Sequence, residues 1–223
     1  MALADQGPPQ APPRAAESRV PFLPLLVLLL FLGVAAGGAM LLLRPRLLFT
    51  NRLAAPVRLV VGESAPRTVA PGAGVRVAVP RGRTLVVQWE LVRPLSADGR
   101  PMGEEVRGSS VLREPSGTVR AEAASRTADA DYFAPRITNA SSHALRVTVN
   151  AGLQGAVDCG CAVRAGARRV FIGYYRLYRN STVRASDPAA GAATFRELGP
   201  QVTAPDGTVG LRFEDKDLRR PPG

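Results

Sequence analysis

The sequence predicts an all-β domain, an antiparallel β-sandwich of the immunoglobulin-like kind, carried on a single N-terminal transmembrane helix. Three observations lead to this prediction. Residues 20–43 contain no charged side chain. After residue 45, apolar and polar residues alternate along several short segments, which is typical of strands with one buried face. Turn-forming pairs such as Pro71-Gly72 separate those segments, and no later segment has a long helical period.

Residues 20–43 are interpreted as a retained membrane anchor. A helix of this length is about 36 Å long, which exceeds the hydrocarbon core of about 30 Å. A cleaved secretory signal is the alternative, but its apolar region covers only about 7–15 residues. The preceding segment, residues 1–19, is rich in proline and has no apolar period, so we predict a disordered tail.

The orientation of this anchor rests on two opposed observations. Arg14 and Arg19 precede the apolar stretch, whereas Arg44 and Arg46 follow it closely with Arg52 further on, and a count of positive charges favours a cytoplasmic C-terminal domain. The amino-terminal tail is short, however, and large domains translocate despite their charge. We therefore predict that the C-terminal domain lies outside the cytoplasm.

The alternating segments after the anchor predict half-buried strands. The longest one predicts that Gln88 and Glu90 are more exposed than the residues of the opposite face, which are Leu85, Val87, Trp89 and Leu91. Residues 93–131 are more polar and are interpreted as a hairpin or flexible insertion. The predicted organisation is a disordered tail 1–19, a transmembrane helix 20–43, a first β half 46–92, the insertion 93–131, a second β half 132–213 and a disordered tail 214–223.

A faint internal repeat indicates that the two β halves are related. Phe-Thr-Asn at 49–51 precedes one strand, and Ile-Thr-Asn precedes another at 137–139, which is 88 residues later. A second block, Val-x-x-Gly, follows at 69–72 and at 163–166, with six additional residues in the second copy. We expect each asparagine to cap a turn with its side chain. Patterns common to all β proteins are the alternative explanation.

The charge of the chain points towards anionic partners. Lys plus Arg is 29 and Asp plus Glu is 18, which gives a net charge of +11, and the charges of residues 1–43 cancel. The basic excess therefore lies after residue 43, where it attracts polyanions such as anionic lipid or acidic polysaccharide, with nucleic acid less expected. A solvated basic surface without a partner is the simpler interpretation. The predicted polyanion contacts are Arg168, Arg169, Arg176 and Arg179.

The sequence Asp-Cys-Gly-Cys at 158–161 is the most specific local pattern. Residues two apart in a strand face the same side, so Cys159 and Cys161 are close enough to interact. A local or intermolecular disulfide is favoured, with two buried free thiols next. A metal site is less favoured, because two thiolates are half of a tetrahedral set. His143 is the single histidine, and no catalytic, metal-binding or cofactor-binding residues are predicted.

Residues 174–179, Tyr-Tyr-Arg-Leu-Tyr-Arg, combine rings with cations. We interpret this segment as a central strand that contributes rings to the core, with Tyr174 and Tyr178 on one side and Tyr175 on the other. A surface that stacks on sugar or nucleic acid is the alternative.

Together these features predict a membrane-anchored, non-enzymatic β-sandwich module of a bacterial cell envelope that binds or scaffolds a partner, such as an envelope protein. The bacterial origin is inferred from a composition rich in Ala, Gly, Pro and Arg. The alternative is a cytoplasm-facing anchored scaffold whose basic face binds anionic lipid or nucleic acid. An enzyme that uses the cysteine pair is the third and least favoured class.

Overall fold

The computed structural model describes residues 22–42, 44–153 and 156–219. The chain divides into two compact units, residues 1–43 and residues 44–223. Within the described residues there is one α-helix, in the first unit, and every other long element is a strand. The all-β prediction is therefore confirmed. The predicted disordered tail 1–19 lies outside the described residues.

The helix, α1, covers Phe22–Leu42 and coincides with the uncharged stretch of the sequence. Its side chains are exposed from residue 24 to residue 35. Across the part of the chain that the structure describes, no helix has both the length and the hydropathy needed to cross a bilayer. The anchor at residues 20–43 and the localisation therefore stay predictions.

The first sandwich contains two sheets. Its strands are β1 (Arg46–Asn51), β2 (Val57–Val61), β3 (Arg67–Val69), β4 (Gly74–Ala78), β5 (Leu85–Leu91), β6 (Arg107–Leu112) and β7 (Thr118–Ala123). One sheet has the order β4-β1-β7, in which β1 is antiparallel to β4 and parallel to β7. The other is the antiparallel sheet β3-β2-β5-β6. Residues 93–131 therefore contain two strands of this sandwich, and are not only an insertion between the halves.

The core of the first sandwich follows the predicted alternation. Val87, Trp89 and Leu91 are buried and Leu85 is partly buried, whereas the intervening polar residues of β5 are exposed. The indole of Trp89 covers Gly108 on the neighbouring strand, where a Cβ atom would lie 2.6–2.7 Å from ring atoms. Glycine at this position of β6 is thus required by the packing of the tryptophan.

The second sandwich repeats this arrangement. Its strands are β8 (Tyr132–Asn139), β9 (Leu145–Val149), β10 (Val157–Val163), β11 (Val170–Phe171), β12 (Tyr175–Arg176), β13 (Ser181–Asp187), β14 (Gly191–Leu198) and β15 (Thr208–Phe213). In one sheet, β8 is antiparallel to β11 and β12 and parallel to β15. The other sheet has the antiparallel order β10-β9-β13-β14. Both sheets contribute to a second buried core.

The turn after β1 is held by Asn51, which is fully buried. Its Nδ2 donates to the carbonyl oxygens of Ala55 and Val69, at 2.9 and 3.0 Å. Its Oδ1 accepts a hydrogen bond from the backbone N–H of Leu53 at 2.9 Å. The side chain therefore satisfies backbone groups of the turn and fastens the turn to β3.

The turn after β8 is held in the same way by Asn139, 88 residues later and also fully buried. Its Nδ2 donates to the carbonyl oxygens of His143 and Val163, at 2.7 and 2.8 Å. Its Oδ1 accepts from the backbone N–H of Ser141 at 3.0 Å. The turn-capping role expected from the sequence is thus present in both copies, with the same strand topology around it.

The correspondence of the two copies extends to the next pair of strands, because the strand equivalent to β5 in the second copy is β13. Leu59 pairs with Trp89 on β5, and Val147, the equivalent of Leu59, pairs with Ala185 on β13. The second copy has a small residue where the first has a tryptophan.

The predicted disordered tail 214–223 is structured over its described part. A 3₁₀ turn covers Asp215–Asp217. Glu214 pairs with Arg212 at 2.7 Å and with Lys216 at 2.8 Å. Arg219 forms a two-way backbone bridge with Ala192 at the edge strand β14.

Candidate functional site

An open groove of about 610 Å³ lies beside strand β6 of the first sandwich, and we call it the β6 groove. Among the described strands, β6 pairs with β5 alone. Leu91 donates its backbone N–H to Val106 at 2.8 Å, so the even-numbered residues of this segment bond to β5. Because this direction alternates along an antiparallel pair, the backbone groups of Arg107, Ser109 and Val111 face the free edge.

The side chains of the β6 groove are mostly polar and carry both signs of charge. They include Arg58, Gln88, Glu90, Glu105, Arg107, Ser109, Ser110, Glu122, Arg126 and Asp129. Several charges are already paired at the surface. Arg107 lies 3.3 Å from Glu105, and Arg126 lies 2.8 Å from Asp131. Such a surface suits a ligand with alternating polar groups and backbone hydrogen-bonding capacity.

The predicted cysteine site lies on β10. The structure joins Cys159 and Cys161 in a disulfide with a Cα–Cα distance of 5.2 Å, at a point where the register of β10 against β9 shifts. Gly160 between them has a φ of +64°, and its N–H donates to the carboxylate of Asp158 at 3.0 Å. A residue with a side chain rarely adopts this backbone conformation, so the intervening glycine is suited to the bridge.

The disulfide leaves neither thiol free, and Cys159 is buried in the second core. Among the described residues, no group of three or more His, Cys, Asp or Glu side chains is placed to hold a metal ion. Of the alternatives for this pair, the structure contains the local disulfide.

The four arginines predicted to contact a polyanion are all exposed, but they are not one cluster. Arg168 and Arg169 lie in the turn after β10, where the N–H of Arg169 donates to the Thr138 hydroxyl at 3.2 Å. Arg176 pairs with Tyr132 at the opposite end of β8. Six residues of strand separate the two places, which is about 20 Å. A joint polyanion contact by all four arginines would have to span that distance.

Tyr174 and its neighbour Tyr175 are both fully buried, so their rings lie in the core as the sequence predicts, but the segment is not one continuous strand, because β12 covers only Tyr175–Arg176. Tyr174 packs in the first core and Tyr175 in the second. The hydroxyl of Tyr174 accepts from the backbone N–H of Ala54 at 2.8 Å and donates to the carbonyl of Asp206 at 2.5 Å. Burial raises the pKa of both phenols. The segment thus fastens the two sandwiches together and is not a stacking surface.

Close backbone contact completes this junction. A Cβ atom at Gly103 would lie 2.8 Å from the backbone of Tyr174, and one at Gly173 would lie 2.7 Å from the carbonyl oxygen of Met102. Glu104 donates its N–H to the carbonyl of Tyr174 at 2.7 Å. Both glycines have positive φ angles, so the approach of the two chains depends on them.

Sequence reasoning missed the β6 groove, because the residues that line it have no single chemical signature. The polar character of residues 93–131 is the one available signal, and it predicts a hairpin or flexible insertion. No protein-family model matches the chain, and no curated protein matches it.

Proposed function

We propose that this chain is a non-enzymatic binding module that holds a partner protein by adding a strand of the partner to β6. The observation that carries this proposal is the free edge of β6 beside an open polar groove. Unpaired backbone groups at a sheet edge are a template for an additional strand, and side pockets then select the sequence of that strand.

Charge and exposure along the edge support this mode of binding. Arg107 and Ser109 on β6 are exposed and line the groove, as does Glu105 just before the strand. A partner strand with polar side chains of both signs would complement them. In the second sandwich the equivalent edge strand, β14, is bridged by Arg219, so that edge is already occupied at Ala192. The free edge of the first sandwich is therefore the better docking position.

The cellular setting is part of the proposal and rests on the sequence. We propose attachment to a membrane through residues 20–43, in a bacterial cell envelope, with the C-terminal domain outside the cytoplasm. Attachment predicts that a carbonate wash leaves the full-length chain in the membrane fraction. A reporter enzyme fused to the C-terminus, active on one side of the membrane only, tests the orientation.

Cross-linking in cells tests the binding mode. A photo-reactive residue replaces Gln88, which faces the groove, and Ser109→Pro then blocks the edge. Proline removes an N–H that faces away from β5, so the pairing within the sheet is kept. We expect a discrete adduct that Ser109→Pro abolishes and the matched control Ser109→Val retains. The same probe at Arg184, the equivalent place on β13, should give no such adduct.

Two results would count against this proposal. If Ser109→Pro leaves the adduct at Gln88 unchanged, the partner does not bind as a strand. If the probe at Arg184 gives the same adduct, the contact is not specific to the groove.

A second candidate function is the binding of an anionic surface such as lipid or nucleic acid. Arg76 and Arg120 flank Leu48 on the outer face of the sheet β4-β1-β7, and both are exposed. Neither arginine has an ion pair within the described residues. Such contacts are screened by salt, so binding to acidic vesicles should fall steeply with ionic strength, and Arg76→Glu should weaken it.

A further inference from the structure

A second groove, of about 380 Å³, lies on the outer face of the second sandwich, and we call it the β15 groove. Gly210 of β15 and Arg136 of β8 are directly opposite each other in this sheet, and Arg212 is opposite Thr138. A Cβ atom at Gly210 would meet no atom within 4 Å. The glycine thus leaves an empty space between side chains on an otherwise continuous strand.

Among the described residues, the β15 groove is lined by arginines and by no carboxylate. Arg136, Arg169 and Arg212 contribute to it, together with Thr138 and Thr208. The hydroxyl of Thr138 accepts from Arg169, so its proton is available to a ligand. Guanidinium groups bind carboxylate, sulfate and phosphate through paired N–H bonds, and three of them at one groove select strongly for an anion.

Two carboxylates outside the lining partly offset this charge. Glu214 binds the side chain of Arg212, and Asp206 accepts from the hydroxyl and N–H of Thr208. Arg136 and Arg169 have no ion pair within the described residues. The groove therefore keeps two uncompensated positive charges that a bound anion would neutralise.

The placement of the Arg136 side chain has a cost in folding free energy. Its Nε is buried and has no hydrogen-bond partner in the described part of the chain. An unsatisfied buried donor destabilises the folded protein and calls for a specific explanation. An apolar residue would avoid that cost, yet an arginine lines the wall of this groove.

The first sandwich gives an internal comparison, because the two copies share their topology. The position of Arg136 is taken there by Leu48, and the position of Gly210 by Arg120. Where the second copy has a cation beside an empty space, the first has an apolar residue beside a long side chain. The residues that form the β15 groove therefore differ between the two copies and are not part of the framework that the copies share.

We propose that the β15 groove binds a tetrahedral oxyanion, a phosphoryl or sulfate group that is either free or part of a lipid headgroup. Arg136 and Arg169 would bind its oxygens, and Thr138 would donate a further hydrogen bond. This site is separate from the β6 groove and goes beyond the proposed function, so either can fail without the other.

Calorimetric titration of the full-length chain in neutral detergent tests the site, with inorganic phosphate as the probe and chloride used to hold the ionic strength constant. We expect saturable binding near 1 mM or tighter, about −4 kcal/mol. Arg136→Gln should weaken binding about tenfold or more, because a charge-assisted bond is lost. Gly210→Val should do the same without changing any charge, since its side chain fills the space. Arg168→Gln is the matched control and should change affinity less than about twofold.

A second titration distinguishes the sources of the anion. Mixed micelles that contain phosphatidic acid should compete with phosphate if a headgroup can enter, whereas phosphatidylcholine micelles should not compete at the same concentration. Competition supports a lipid-borne anion, and its absence with phosphate still bound supports a soluble one.

Three results would overturn the assignment. Absence of saturable binding by both probes would remove the site. Equal losses for Arg136→Gln and Arg168→Gln would mean that only net charge matters. Full phosphate binding by a folded Gly210→Val protein, checked by circular dichroism, would place the anion outside the groove.

Discussion

Replacing Asn51 with alanine should lower the free energy of unfolding by about 3–4 kcal/mol. The amide of Asn51 makes three buried hydrogen bonds to backbone groups, and all three are lost in the variant. A hydrogen bond contributes about 1 kcal/mol net, and a buried group left without a partner costs somewhat more. One of the lost bonds joins the turn to Val69 of β3. We therefore expect the substitution to weaken the sheet as well as the turn.

Urea unfolding of the full-length chain in neutral detergent measures this change. Trp89 is the single tryptophan of the chain and lies in the first core, so its fluorescence reports the first sandwich. Circular dichroism reports both sandwiches. Asn180→Ala, at an exposed position, is the control and should shift the free energy by less than about 0.5 kcal/mol.

The equivalent variant of the second copy, Asn139→Ala, tests how the sandwiches are coupled. Tyr174 and Tyr175 occupy different cores through adjacent residues. We therefore expect the two sandwiches to unfold together, so that Asn139→Ala also moves the transition seen by Trp89. A shift for Asn51→Ala as small as that of the exposed control would refute the reasoning on buried turn bonds. If Asn139→Ala leaves the unfolding transition reported by Trp89 fluorescence unchanged, the two sandwiches do not unfold together.

Three further predictions concern the disulfide and the titrating groups. Reducing the disulfide between Cys159 and Cys161 should cost only about 1.5 kcal/mol in urea unfolding, because a loop of three residues removes little chain entropy. Hydrogen bonds from Lys216 and Arg212 lower the pKa of Glu214 to about 2, so its contribution to stability is complete above pH 4.5 and is lost as the pH falls towards 2. A melting curve against pH should therefore be flatter below pH 4.5 for Glu214→Gln than for the unmodified chain. Burial raises the pKa of the two junction tyrosines, so they should resist ionisation until unfolding, with stability falling only as the pH rises beyond about 10.

The parts of the fold that could be predicted are strands with one buried face and one face exposed to solvent. Strand β5 is of this kind, and its alternating pattern identifies it as a strand without knowledge of the strands beside it. Strand β6 was missed because it is exposed on most of both faces, and only its pairing with β5 makes it a strand. The sequence predicts that the rings of the tyrosine segment lie in the core on opposite sides, as they do, but it does not show that the two sides belong to different cores.

The candidate sites were harder to predict, because they depend on residues from several strands. Gly210 interrupts an alternating segment, which is a visible signal of space or of a close approach. The charge beside that space comes from Arg136, which lies on β8, 74 positions earlier in the chain. Nothing in the sequence around Gly210 indicates that Arg136 is its neighbour. The disulfide is different, since the spacing of Cys159 and Cys161 restricts the possibilities by itself.

The two sandwiches share a framework and differ in the surfaces outside it, and this difference is where function is expected to lie. Asn51 and Asn139 make corresponding bonds in corresponding turns, so the turn and its sheet contacts are properties of both copies. Among the described residues, no strand pairs with the outer edge of β6, whereas the edge of β14 is bridged by Arg219. A groove with uncompensated arginines exists where Gly210 stands, and a long side chain occupies that place in the first copy. The junction at Tyr174 and Tyr175 joins the copy that we propose to bind a strand to the copy that we propose to bind an anion, so one partner carrying both features would engage them together.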